Sequence, residues 1–238
     1  MADKQTGAQQ AFLPNLASAI KAAHAEGENL STNTFVALID AVVRVFDYLG
    51  PLLQVARMDM NIKNNTLREV TEPLVDPLPV SSLVEADKRA NKVTEKDSRA
   101  RNLHRLTAVV TFMRVLLENF VRSRDITVKE AATDAYQQSL APVHPYMVRT
   151  AVWAGMYILP TRASFMQQIG ETEDSARPHA LEFLKYCKAV EDNIYKHYAG
   201  ISMPTCQPSA SILSALWGGR GGGEQPPQQA SSPQQAPQ

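Results

Sequence analysis

The sequence lacks the residues and patterns that identify several protein classes, and its low cysteine content is the first example. Its 238 residues include two cysteines, Cys187 and Cys206, which are too few for a disulfide scaffold. We expect free thiols in a reducing compartment, with a single bridge between the two as the alternative. The chain carries 24 basic and 24 acidic residues, so it has no net charge to attract nucleic acid or an anionic membrane.

Long apolar runs are also absent. Residues 1–10 are polar and contain no basic region followed by an apolar stretch, which argues against a secretory signal. The most apolar stretch, 147–160, includes Arg149 and is shorter than the roughly 20 residues that a transmembrane helix needs. These absences predict a cytosolic protein.

The motifs of common enzyme classes are missing as well. The glycine-rich stretch at 218–223 follows no predicted strand and opens no helix, so it does not fit a phosphate-binding loop. The two cysteines lack zinc-ligand spacing, the five histidines are isolated, and no Gly-x-Ser-x-Gly elbow occurs. We therefore predict a protein that is no enzyme and that needs neither a metal nor a cofactor.

Composition divides the chain into three parts. Residues 218–238 include five glycines, six glutamines and four prolines, a composition that buries too little apolar surface to offset the entropy of ordering. We expect this tail to be disordered and residues 1–11 to be flexible. A folded domain is expected over residues 12–217, ending near Trp217.

Apolar residues within that domain recur three and four positions apart, which is the spacing of amphipathic helices. One stripe runs from 35 to 53, and we expect Gly50-Pro51 to kink this long helix rather than end it. Further helices are predicted at 103–117, 144–159 and 175–197. A capping box formed by Thr127 and Glu130 predicts another helix, which Pro142 ends. No segment has the alternation of a strand, so the prediction is one all-α domain of seven or eight helices.

Charged residues stand out against these apolar helices. Asp59 and Lys63 are four apart and share a helix face, as an ordinary surface ion pair also would. The stretch 88–105 has seven basic and two acidic residues, a local charge of +5. Within it Arg101 and Arg105 again share one face, where two guanidiniums could each offer a bidentate fork to a phosphate. A solvated basic face remains the alternative.

Three further candidate residues lie at the start of a predicted helix and along it. His144 lies between prolines at 142 and 145, where its ring could be held rigidly, although a lone histidine is more often structural. Trp153 and Tyr157 are more typical of a core than of a membrane anchor. None of these residues decides a function alone.

Four blocks, taken in order, resemble the glycolipid transfer protein superfamily. They are Val-Ala-Arg-Met-Asp-Met-Asn-Ile-Lys at 55–63, Ser-Arg-Ala-Arg-Asn-Leu-His-Arg-Leu at 98–106, Ala-Tyr and Leu-Ala-Pro-Val-His within 135–144, and Gly-Met-Tyr-Ile-Leu-Pro-Thr-Arg at 155–162. The resemblance implies a two-layer helical sandwich of about eight helices that encloses an apolar lipid pocket. It spans about residues 35 to 165.

Two positions favour one branch of that superfamily. Lys63 stands where glycolipid binders typically have Asn, and Arg101 stands where they typically have the Trp that stacks on a sugar ring. Both are cations here, as in the ceramide-1-phosphate transfer proteins, including the plant accelerated-cell-death lipid-transfer proteins. By resemblance Lys63, Arg101 and Arg105 would hold the phosphate.

The resemblance also implies which residues bind the rest of the lipid. Asp59 would accept from the sphingoid amide nitrogen and His144 would donate to the amide carbonyl. The chains would enter a sleeve lined by the stripes around Phe46, Leu49 and Val110. Membrane docking would fall to Tyr146, which stands where many members have Trp, shared with Trp153.

Together these features predict a cytosolic, monomeric, ATP-independent carrier of ceramide-1-phosphate that touches membranes transiently. Its protein partners are unknown. Alternatives are transfer of a neutral glycosphingolipid, a sphingolipid-sensing adaptor with little transfer activity, and a helical scaffold unrelated to lipid.

Overall fold

The computed structural model describes residues 11–72 and 75–205, and the regular elements within these two ranges are helices, with no β-strand. This confirms the all-α prediction. None of the helices in these two ranges is long and apolar enough to cross a membrane. The described residues form ten α-helices: α1 (Phe12–Ala25), α2 (Thr32–Val43), α3 (Val45–Tyr48), α4 (Gln54–Thr71), α5 (Val80–Arg89), α6 (Arg99–Arg122), α7 (Val128–Ser139), α8 (Tyr146–Met156), α9 (Arg162–Gln168) and α10 (Glu173–Tyr195).

Several predictions from the sequence concern residues outside these two ranges. Residues 1–10 of the expected flexible N-terminus, Cys206, the expected domain end at Trp217 and the expected tail at 218–238 lie outside the described residues. Cys187 is a free and fully buried thiol.

The expected long helix starting near residue 35 is instead broken, so that prediction is wrong. Gly50 has φ 104°, a conformation that side-chain-bearing residues avoid, and Pro51 opens a 3-10 turn at Pro51–Leu53. The chain reverses there, and α4 packs back against α2. The Asn64 Nδ2 amide of α4 donates to the carbonyl oxygen of Val36 in α2 over 3.1 Å. This reversal, rather than a kink, places the polar face of α4 at the candidate site described below.

Capping residues define other helix starts. Thr127 Oγ1 accepts from the Glu130 amide at 3.1 Å and the Glu130 carboxylate accepts from the Thr127 amide at 2.9 Å, which confirms the predicted capping box of α7. Thr172 and Ser175 make the same reciprocal pair at α10. The helix predicted at 144–159 is shorter, because Pro145 caps α8 and the helix ends at Met156.

Helix α6 is the centre of the packing. It contacts α2, α4, α5, α7 and α10, and its predicted stripe at 103–117 is buried. Phe46 stacks on Phe112 with ring centroids 5.8 Å apart, and Leu49 and Val110 are buried in the same core. The contact between Phe46 and Phe112 packs α6 against the segment between α2 and α4.

A buried ion pair joins α6 to α10. The Arg114 Nε atom lies 3.0 and 3.2 Å from the two carboxylate oxygens of Glu191, and Nη1 lies 2.9 Å from Glu118. The Glu191 side chain is 3% exposed. A charge this deeply buried depends on its partner, so Arg114 and Glu191 act as a unit.

Candidate functional site

A cavity of about 470 Å³ lies between α4, the start of α6, and the turn leading into α8. All five residues predicted to hold a ligand line it, although they come from three distant stretches of sequence. The polar lining residues are Asp59, Lys63, Lys96, Asp97, Arg101, Asn102, Arg105 and His144. The apolar wall includes Leu53, Ala56, Met60, Leu140, Val143, Val148, Ala151 and Val152.

Helix α4 supplies one acid and one base to the cavity. Asp59 and Lys63, one turn apart, form an ion pair along the helix. The side chain of Lys63 is 24% exposed and that of Asp59 is 54% exposed. Because both line the cavity, the pair differs from the ordinary surface pair that the sequence left open.

The start of α6 supplies Arg101. Ser98 caps the helix, its Oγ accepting from the Arg101 amide at 3.1 Å, so Arg101 lies in the first turn. Its Nη1 donates to the carbonyl oxygen of Thr94 over 3.3 Å. The cap fixes the backbone of Arg101, and the bond to Thr94 holds its guanidinium.

One turn further, Arg105 connects parts of the chain that are far apart in sequence. Its Nη1 donates to the Val143 carbonyl over 2.9 Å and its Nη2 donates to the Pro204 carbonyl over 2.7 Å. Val143 directly precedes His144. Arg105 therefore holds the turn that carries the histidine against α6.

His144 follows the 3-10 turn at Ala141–Val143, and its amide donates to the carbonyl of Leu140. Burial lowers the pKa of His144 to about 4, Arg105 and Lys63 act in the same direction, and Asp59 opposes them. The ring is therefore neutral at pH 7, with one N–H to donate and one nitrogen to accept. Its Nδ1 lies 3.1 Å from the hydroxyl of Tyr136.

Three polar lining residues were not predicted as site residues. Asn102 is 3% exposed, and its Nδ2 donates to Thr66 Oγ1 over 2.9 Å, which ties α6 to α4. Asp97 has φ 67°, a left-handed conformation that Asp tolerates better than most residues. Lys96 belongs to the basic stretch, which was the one signal that pointed to it.

The charged lining residues sum to a positive site. Four cations face the cavity, and the two carboxylates offset half of them, which leaves four minus two, or +2. A chain of zero net charge thus concentrates positive charge at one place. Such a site suits a compact anion of about two charges. The four cations are Lys63, Lys96, Arg101 and Arg105, and the two carboxylates are Asp59 and Asp97.

The two residues expected at a membrane lie on α8, beside the cavity. Tyr146 is 36% exposed and Trp153 is 37% exposed. The ring of Trp153 meets Tyr136 edge-on with centroids 6.3 Å apart, so part of its surface is covered within the protein.

Other apolar side chains on the helices that flank the cavity are more exposed. Met147 on α8 is 83% exposed, and Met58 and Ile62 on α4 are 65% and 64% exposed. Scattered exposed apolar residues are common, but these lie on α4 and α8, two of the helices that line the cavity. Helical spacing places Ile62 on the apolar stripe that continues past Gly50, so its exposure was not predicted, and no sequence signal singled out Met58 or Met147.

The comparison with protein families matches residues 30–171, more than half of the chain, to the glycolipid transfer protein family. The ACD11 homolog protein of Arabidopsis thaliana is 29% identical over 72% of this chain and 73% of its own length. The human ceramide-1-phosphate transfer protein is 23% identical over 75% of this chain and 90% of its own.

Among solved structures, a mutant of Arabidopsis ACD11 (accelerated-cell-death 11) complexed with ceramide-1-phosphate superposes with a TM-score of 0.75 and 24% identity. The match covers 80% of this chain and 96% of that one, and it shows a shared fold. The family match over residues 30–171 agrees with this shared all-α fold. The chain belongs to the glycolipid transfer protein family.

Proposed function

We propose that this protein binds ceramide-1-phosphate in the cavity between α4, α6 and α8 and carries it between membranes. The observation that supports this choice of lipid is the +2 charge of the cavity lining. No Phe, Tyr or Trp is among the described residues that line the cavity, so it offers no aromatic platform for a sugar ring. Relatives point the same way, since one solved neighbour is complexed with ceramide-1-phosphate.

The phosphate is held by cations from two helices. A phosphomonoester carries about −1.5 to −2 charges at pH 7, which matches the net charge of the site. Arg101 and Arg105 offer planar guanidiniums that suit phosphate oxygens, while Lys63 contributes a point charge. Lys96, at the same cavity, adds a fourth cation.

The sphingoid amide lies between an acceptor and a donor. The carboxylate oxygens of Asp59 are hydrogen-bond acceptors, so Asp59 takes the amide N–H. His144 is neutral and donates to the amide carbonyl. Because the carboxylate and the imidazole come from α4 and from the turn before α8, the amide bridges the two walls of the cavity.

The hydrocarbon chains begin at the apolar wall formed by residues such as Met60, Leu140 and Val152. Longer chains part the core side chains around Phe46 and Val110, which the family resemblance assigned to a sleeve and which are buried in one core here. Burial of about 0.8 kcal/mol per CH₂ offsets the packing that is lost.

In this proposal the protein is a binding protein rather than an enzyme and uses no cofactor. It works in the cytosol as a monomer and touches membranes transiently. The exposed apolar residues that flank the cavity make that contact, with Tyr146 and Trp153 among them. The head group then enters the cavity without crossing the body of the protein.

The direct test is transfer of fluorescent ceramide-1-phosphate between phosphatidylcholine vesicles. We expect Arg101→Leu and Asp59→Val to weaken lipid binding about tenfold or more, about 1.4 kcal/mol of binding free energy, and to lower the transfer rate with it. Arg99→Leu is the matched control, because Arg99 is exposed, lies two residues from Arg101 and does not line the cavity. Equal transfer by all four proteins would overturn the proposal.

Two parallel measurements separate the alternatives. Galactosylceramide in the same assay tests a neutral glycosphingolipid, and its preference over ceramide-1-phosphate would contradict the roles of Lys63 and Arg101. Equilibrium binding tests the adaptor hypothesis. Tight binding of ceramide-1-phosphate with negligible transfer between vesicles would favour a sensor over a carrier.

A further inference from the structure

A tyrosine outside the cavity contacts the histidine inside it. Tyr136 lies on α7, is 1% exposed and does not line the cavity. Its hydroxyl is 3.1 Å from Nδ1 of His144, and the two ring centroids are 5.6 Å apart. The phenol thus contacts the imidazole without itself lining the cavity.

The direction of this hydrogen bond follows from burial. Within the described residues, the Tyr136 hydroxyl forms its hydrogen bond with His144. If Nδ1 were the donor, the buried phenolic O–H would have no acceptor, and such a group costs about 1–3 kcal/mol. Burial also raises the pKa of Tyr136 to about 12, so the phenol keeps its proton at pH 7. The O–H therefore donates, and Nδ1 accepts.

A neutral imidazole carries a proton on one nitrogen only. With Nδ1 accepting from Tyr136, the proton resides on Nε2, the nitrogen across the ring. We propose that Tyr136 is a positioning residue that fixes His144 in the Nε2–H tautomer and turns this N–H toward the cavity. The acceptor of that N–H, the amide carbonyl of a sphingolipid, rests on the proposed function, whereas the tautomer does not.

The first test measures the tautomer directly. Two-dimensional ¹⁵N NMR of the full-length protein distinguishes a protonated imidazole nitrogen from an unprotonated one. We expect the wild type, measured near pH 7 without added lipid, to show Nε2 protonated and Nδ1 unprotonated at His144. A protonated Nδ1 would overturn the inference while leaving the proposed function standing.

The second test follows the pKa of His144. The Tyr136 hydroxyl stabilises the neutral ring, so Tyr136→Phe should raise that pKa measurably. The charged groups that act on this ring are Asp59 and Lys63 from α4, Arg105 from α6 and Arg149 from α8, and all are retained in the variant. An unchanged pKa would contradict the assignment.

The third test asks whether Tyr136 acts through His144. We expect Tyr136→Phe to weaken ceramide-1-phosphate binding about three- to tenfold in the wild type and to have no further effect in a His144→Ala background. Tyr198→Phe is the matched control, because that buried hydroxyl donates to the carbonyl of Ala100 over 2.5 Å and lies outside the cavity lining. Equal weakening by Tyr136→Phe in both backgrounds, or by Tyr198→Phe, would overturn the role. Failure of the wild type to bind this lipid would count against the proposed function instead.

Discussion

The guanidinium of Arg105 donates a hydrogen bond to the carbonyl oxygen of Pro204, 99 positions further along the chain and 2.7 Å away. A second bond, to Val143, fixes the turn before α8. One cation of the candidate site therefore joins three segments of the fold. Its removal should affect stability as well as binding.

We predict that Arg105→Lys lowers the free energy of unfolding by about 1–3 kcal/mol, because one ammonium group cannot span two carbonyls as a guanidinium does. Arg101→Lys should lower it less, since the guanidinium of Arg101 donates one bond of 3.3 Å to Thr94. Urea denaturation of both variants measures the difference. An equal loss in the two would contradict the structural role of Arg105.

Acid should destabilise the protein through two half-buried histidines. Burial lowers the pKa of His104 and of His144 to about 4 from the usual 6.5. The ring of His104 packs against those of Tyr195 and Tyr198, with centroids 5.4 and 5.1 Å away. Between these pH values the unfolded chain binds more protons than the native protein, so stability is complete above about pH 7 and falls as the pH drops toward 4.

Each histidine contributes at most about 1.4 kcal/mol per pH unit to this slope. His104→Phe should keep the packing of the ring and remove one of the two contributions. Unfolding free energies measured from about pH 7 down to about pH 4.5 test this. The difference between variant and wild type isolates the histidine from the carboxylates, and a variant with an unchanged slope would refute the prediction.

The Arg114–Glu191 pair should show strong coupling. Arg114→Met leaves the Glu191 carboxylate buried without its partner, and we expect a loss of about 3–5 kcal/mol of unfolding free energy. The double variant Arg114→Met with Glu191→Leu should regain much of that loss. A double-mutant cycle by urea denaturation measures the coupling, and additive effects would mean that the two side chains are independent.

Membrane contact should depend on Met147. With 83% of its surface exposed beside the cavity, Met147 should insert more readily than the half-covered Trp153. Met147→Ser is expected to slow lipid transfer several-fold and to leave equilibrium lipid binding unchanged. Leu181→Ser is the control, since Leu181 is 45% exposed on α10, outside the cavity lining. Equal slowing by both would mean that the contact surface is elsewhere.

Local sequence patterns predicted the features that depend on residues close together in the chain, such as helix faces and helix starts. The buried stripe of α6 follows from helical spacing, and the start of α7 follows from Thr127 and Glu130. The cavity brings Asp59, Lys63 and Arg101 together as the family blocks implied, while their roles stay a proposal.

Long-range contacts could not be predicted in the same way. The break at Gly50 was missed because the apolar spacing continues past it, and backbone conformation rather than side-chain pattern decides whether a helix kinks or ends. The bonds from Arg105 to Pro204 and from Tyr136 to His144 depend on tertiary packing. No spacing in the sequence indicates that a phenol on α7 meets the ring that precedes α8.

The buried ion pair between α6 and α10 has a consequence for the distant cavity. Arg114 follows Arg105 by nine residues, which is about 13 Å along the helix axis. A slip of α6 along α10 by one turn, about 5.4 Å, would pull Arg114 away from Glu191 and leave that buried carboxylate without this partner. The pair therefore sets the register of α6, and the cations at the start of this helix take their position at the cavity from a contact more than two turns away.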